Sequence, residues 1–129
     1  MSDSFHVLLL DDDAEYHEIF REFLELALGG ERLSFRAACN PEDALEILNS
    51  QVMDAVFVDY RLGRTTGIEF LRQCALREET SPLILLTGYQ SEVIEEQAFA
   101  SGIADFLPKD GLTPAALSRC IRYARIIQS

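Results

Sequence analysis

Basic residues are scarce in this chain. Eleven Lys and Arg stand against 22 Asp and Glu over 129 residues, a formal net charge of −11. Nucleic-acid backbones and anionic lipid surfaces are held by clustered Lys and Arg, so the shortage excludes direct nucleic-acid or membrane binding as the working role. A cation site or a basic partner suits such a charge better. Cysteine is sparse as well: Cys39, Cys74 and Cys120 are odd in number, far apart and in no CxxC pair. That spacing excludes a disulfide framework and a zinc-ligand pair, and it predicts reduced, mostly buried thiols in a cytoplasmic protein. No apolar run approaches membrane-spanning length, and the opening MSDSFH lacks the basic and apolar regions of a signal peptide. There is no low-complexity segment and no long linker. The length is that of one domain with a single core.

What is present alternates. Four short, largely apolar runs stand out: VLLL at Val7–Leu10, AVFV at Ala55–Val58, LILL at Leu83–Leu86 and ADFL at Ala104–Leu107. Continuous apolarity suits parallel strands covered on both faces. LSFRAAC (Leu33–Cys39) carries Arg36 and suits an edge strand. Between the runs lie helical patterns. EYHEIFREFLELAL puts Ile19, Phe23 and Leu26 on one stripe with Tyr16, Phe20 and Leu24 beside it, and Gly29-Gly30 offers a stop. NPEDALEIL and TPAALSRCIRYARII open on Asn40-Pro41 and Thr113-Pro114, a cap followed by proline at the first helical position. GIEFLRQCALRE and SEVIEEQAFAS supply two more, the latter capped by Ser91. Five β-α units with right-handed crossovers make a doubly wound α/β sheet with helices on both faces.

Ligands of such sheets sit at the carboxyl ends of the strands. The first strand runs into Asp11, Asp12 and Asp13, the third into Asp59, the fourth into Thr87 and the fifth into Lys109. Adjacent carboxylates repel and raise one another's pKa, so something cationic must collect their charge. The chemistry that uses this set is phosphoryl transfer to a carboxylate, with Asp59 as nucleophile. Two first-loop aspartates and Asp59 would hold Mg²⁺ (or Mn²⁺) through oxygen. Lys109 would place a point charge on a phosphoryl oxygen, and Thr87 would offer a hydroxyl.

These motifs resemble the receiver domains of bacterial two-component response regulators, over essentially the whole chain. The resemblance implies a flavodoxin-like (βα)5 fold with strand order 2-1-3-4-5. It implies Asp59 as phosphoacceptor, Asp12 as direct metal ligand, Asp11 acting mainly through water, and the backbone carbonyl of Arg61 as a further ligand. Gly67 matches a glycine eight residues past the acceptor. The family also implies a switch in which Thr87 moves toward the phosphate and an aromatic, here Phe106, turns inward. The face made by the fourth helix, fifth strand and fifth helix then changes partners. A sensor histidine kinase or histidine phosphotransfer protein would supply the phosphoryl group, docking near the acidic first helix. Glu92, Glu95 and Glu96 on the fourth helix and Arg119, Arg122 and Arg125 on the fifth could pair in a homodimer.

Departures from the family pattern are few. Asp110, not proline, follows Lys109, which predicts a trans peptide there because cis costs about 2.5–4 kcal/mol without proline. Leu62-Gly63 follows the acceptor region and predicts a looser LGRTTG loop. Arg61 and Tyr89 flank the site, Asp13 reads as a helix cap, and His6 and His17 read as surface residues. A haloacid-dehalogenase phosphohydrolase would need an Asp where Arg61 stands, and a flavodoxin would not place Asp11–Asp13 against a phosphate. A phosphorylation-independent pseudo-receiver, acting as an interaction module, is the other alternative; such modules usually lose the acceptor or the acidic pair, and both are present. The apolar end of the last helix, Ile126-Ile127, leans toward a receiver cut from a longer regulator.

Overall fold

Each of the four apolar runs contributes a strand to one sheet in the computed structural model, which describes residues 4–88 and 91–128. The strands are β1 (Phe5–Leu10), β2 (Leu33–Ala38), β3 (Ala55–Asp59), a short pair β4 (Arg61–Leu62) and β5 (Thr65–Thr66), β6 (Leu83–Thr87) and β7 (Asp105–Pro108). The helices are α1 (Ala14–Leu28), α2 (Pro41–Ser50), α3 (Gly67–Leu76), α4 (Glu92–Ala100) and α5 (Pro114–Gln128). The main sheet is parallel in the order β2-β1-β3-β6-β7, which is the expected 2-1-3-4-5 order once β4 and β5 are set aside.

Because strand side chains alternate faces, the runs divide between two apolar layers. Val7, Leu9, Ala55, Phe57, Ile84 and Leu86 pack with Phe20 and Leu24 of α1 and Leu117, Cys120 and Ile121 of α5. Leu8, Leu10, Val56, Val58 and Leu85 pack with Ala44, Ile47 and Leu48 of α2, Phe70 and Leu71 of α3 and Ala98 of α4.

Local chemistry sets the helix starts. Asp13, Asn40, Thr66 and Ser91 each accept a backbone N–H from the first turn of α1, α2, α3 and α4, and Thr113 Oγ1 accepts from Ala116 at 3.1 Å at α5. Gly29 ends α1 in the left-handed region at φ +60°, where any other residue would be strained.

Two expectations are corrected. The buried stripe of α1 is Phe20, Leu24 and Leu28, while Ile19 and Leu26 are 49% and 69% exposed. The LGRTTG segment is no loose loop. Arg61 pairs with Thr66 and Leu62 with Thr65 in an antiparallel hairpin, turned through Gly63 at φ +68°, and Leu62 is buried.

Candidate functional site

Strand register brings the acidic residues together. Leu10 lies opposite Val58, so the residues that follow them, Asp11 and Asp59, stand side by side at the sheet's carboxyl rim. Alternation puts Asp11 in phase with Leu9, Asp59 with Phe57 and Lys109 with Leu107, all on the α1–α5 face. The carboxylates of Asp11, Asp12 and Asp59 offer oxygens that lie within 4.8 Å of one another. Oxygen donors this close suit a hard divalent cation such as Mg²⁺, and the donor set fits one.

The three carboxylates differ in setting. Asp11 is fully buried and Asp12 exposed, with Asp59 buried between them. Every oxygen of Asp11 is engaged: Oδ1 accepts from the Asp13 N–H at 2.9 Å, Oδ2 from Lys109 Nζ at 2.7 Å, and the carbonyl from His17 Nε2 at 2.7 Å. Lys109 Nζ also lies 3.4 Å from Asp59 Oδ2. Burial, foremost, and the charge of Asp11 push the Asp59 carboxyl up to about 6 against the opposing pull of Lys109. Burial pulls the Lys109 ammonium down, but the hydrogen bond to Asp11 and the charges of Asp59 and Asp11 together raise it. Lys109 is the only lysine in the chain.

Thr87 ends β6, buried, and its carbonyl accepts the Lys109 N–H at 2.8 Å, which ties the fourth and fifth core strands together at the rim. The Lys109–Asp110 peptide is trans, as expected, and no described peptide is cis. Arg61 is exposed at the start of the hairpin, and Tyr89 lies outside the described residues. Phe106 is half-buried against the α2–α4 layer. Gly67 is explained sterically: a Cβ there would meet the Asp59 carbonyl oxygen at 2.6 Å and Leu85 Cδ1 at 3.0 Å.

Three placements depart from the sequence reading or were missed by it. His17 is not a surface residue, since it is half-buried and holds the Asp11 main chain. Tyr16, read only as a packing residue, puts its ring 4.2 Å from Lys109 Nζ. Arg125, read only for its charge, pairs with Glu31 and stacks 4.7 Å from the Phe5 ring centroid within the same chain. No spacing in the sequence signals these contacts, which link the ends of elements far apart in the chain.

Comparison with known proteins agrees with this geometry. A family profile described as response regulator receiver domain matches residues 7–122. Response regulator protein PilR of Pseudomonas aeruginosa is 32% identical over 102 residues, covering 79% of this chain and 22% of PilR. The chain spans less than half the length of the curated relatives it matches. The structure of the Francisella response regulator 1452 receiver domain is similar with a TM-score of 0.82 at 21% identity, covering 96% of this chain and 98% of that one. A response regulator protein from Burkholderia pseudomallei, crystallised with a phosphorylated aspartic acid, calcium ion and citrate, has a TM-score of 0.71 at 26% identity, covering 95% of this chain and 70% of that one. With a parallel sheet in this order, an acidic rim and a family match over nearly its whole length, the chain belongs to the response regulator receiver domain family.

Proposed function

We propose that this receiver domain is a phosphorylation switch whose acceptor is Asp59. The observation that carries the reading is the rim itself, where three carboxylates with oxygens inside 4.8 Å meet an ammonium that touches two of them. The Burkholderia regulator with its phosphorylated aspartic acid and calcium ion supports it by likeness. Asp11, Asp12 and Asp59, with the Arg61 carbonyl, would hold Mg²⁺ or Mn²⁺, Asp11 mainly through water. When bound, that ion supplies positive charge against the phosphoryl oxygens.

The chain's own residues do the rest. A carboxylate oxygen of Asp59 attacks phosphorus in line. The new O–P bond forms as the N–P bond of a phosphohistidine donor breaks, and the departing imidazole takes a proton. Lys109 is already 3.4 Å from Asp59, and its ammonium turns from the carboxylate to a phosphoryl oxygen. Thr87, at the end of β6, closes on the phosphoryl group by its hydroxyl. Phe106 then repacks, which alters the face formed by α4, β7 and α5. The exposed Glu92, Glu95 and Glu96 around the α4 surface and Arg119 and Arg122 on α5 remain the complementary charges for a second copy. The donor is a sensor histidine kinase or phosphotransfer protein in the cytoplasm. No helix among the described residues is long and apolar enough to cross a membrane.

Incubation with acetyl phosphate, followed by intact mass, tests the reading. One phosphoryl group should be gained with Mg²⁺, and none should be gained by Asp59→Asn or in a chelator. A wild type that gains nothing under any of these conditions would mark the domain as an interaction module that works without phosphate.

A further inference from the structure

Lys109 sits just past β7, an edge strand, on a long flexible stem. Two carboxylates draw its ammonium, Asp11 at 2.7 Å and Asp59 at 3.4 Å. Its third contact is of another kind. Nζ lies 4.2 Å from the centroid of the Tyr16 ring, inside the range of a cation–π interaction.

Tyr16 is well anchored. Its N–H donates to the Asp13 carbonyl at 3.1 Å in the first turn of α1. Its ring lies 5.9 Å from that of Phe20, which meets Phe57 edge-on at 4.9 Å. Phe57 stands two residues before Asp59 on the same strand. The ring that faces the ammonium and the carboxylate that the ammonium serves are therefore braced on one buried aromatic column.

We propose that Tyr16 is a positioning residue for phosphoryl transfer, its ring face holding the Lys109 ammonium at the Asp11–Asp59 side of the rim. This rests on the reading of Asp59 as phosphoacceptor. A ring suits the task better than another carboxylate would, because it attracts the ammonium without adding a full negative charge beside an incoming phosphoryl group. It also stays uncharged: burial first, then the charges of Asp11, Asp59 and Asp110, push the Tyr16 phenol up to about 12. As the Asp59 carboxylate becomes an acyl phosphate, its pull on Lys109 passes to the phosphoryl oxygens, and the ring contact persists.

The single lysine makes the test clean. In protein labelled with ¹³Cε-lysine one resonance is expected, that of Lys109. Its ε-protons should be shifted upfield by the Tyr16 ring in the wild type and in Tyr16→Phe, and should return toward the free-lysine position in Tyr16→Leu. Phosphorylation by acetyl phosphate should slow about three- to tenfold in Tyr16→Leu and stay within about twofold in Tyr16→Phe, since the ring face and not the hydroxyl makes the contact. An unshifted lysine signal in wild type, or a Tyr16→Leu variant as fast as wild type, would overturn the proposal. Should wild type accept no phosphoryl group, the role in transfer falls with the reading of Asp59. The ε-proton shift would then separate that failure from absence of the Tyr16–Lys109 contact.

Discussion

At the scale of single residues, the charge on Asp59 works against the stability of the cation-free domain. Its carboxyl is raised from 3.8 to about 6, chiefly by burial and by Asp11. Between those two values the folded chain binds more protons than the unfolded one, so stability falls as pH rises through this window and the full cost stands above it. Asparagine fills the same space and does not titrate. Asp59→Asn should therefore stabilise the domain in chelator by up to roughly 3 kcal/mol at pH 7.5, with little gain at pH 4. Urea unfolding at both pH values checks this, and an equal gain at both would refute the assignment. Gly67→Ala should cost about 1–3 kcal/mol by overpacking, because the new methyl group would press the Asp59 main chain. The same urea unfolding, with Mg²⁺ titrated in, would show weakened cation binding as the Asp59 carboxylate shifts. Asp11, Asp12, Asp59 and Lys109 were all legible from sequence because each follows an apolar run, and a run's end is where a parallel sheet exposes its chemistry. Tyr16 and His17 were not. Their contacts depend on how the first turn of α1 leans over the rim, which no local spacing encodes.

At the scale of elements, α1 shows where periodicity alone runs short. Its sequence carries two adjacent apolar stripes, and the choice between them depends on the angle at which Asp13 starts the helix. The stripe that faces the sheet is Phe20, Leu24 and Leu28, whereas Leu26 points to solvent. Leu24→Ala should then cost about 2–5 kcal/mol through the cavity it leaves, and Leu26→Ala should stay within about 0.5 kcal/mol. Chemical denaturation of the two variants side by side decides it, and comparable losses would restore the stripe read from sequence. The β4–β5 hairpin was invisible for a different reason. Two residues per strand are too few to show a period of two, and Gly63 reads as a turn whether or not its flanks pair. The β-α order itself was plain, since four apolar runs and one edge-strand candidate separated by capped amphipathic segments admit few other topologies.

At the scale of the whole molecule, one sheet separates two apolar layers, and the two buried cysteines report on one layer each. Cys74 belongs to the α2–α4 layer and Cys120 to the α1–α5 layer, while Cys39 is exposed. Burial, foremost, raises both buried thiols to about 12, with Glu79 adding to it at Cys74 and Asp105 at Cys120. Only the thiolate reacts with a disulfide reagent, so at pH 8 neither should label while its layer is closed. Native protein should yield one thiol promptly, from Cys39, and the other two only through opening. Both layers rest on the same strands, where Leu8 and Leu9, or Val56 and Phe57, are neighbours facing opposite sides. Loss of one layer would strip the support from the other, which is the structural condition for a single cooperative transition. Labelling of Cys74 and Cys120 across a urea series, resolved by peptide mass, should give one common midpoint that coincides with loss of helical signal. Separate midpoints would show that the layers open independently, and the layer with the lower midpoint would be the one free to rearrange in the folded domain.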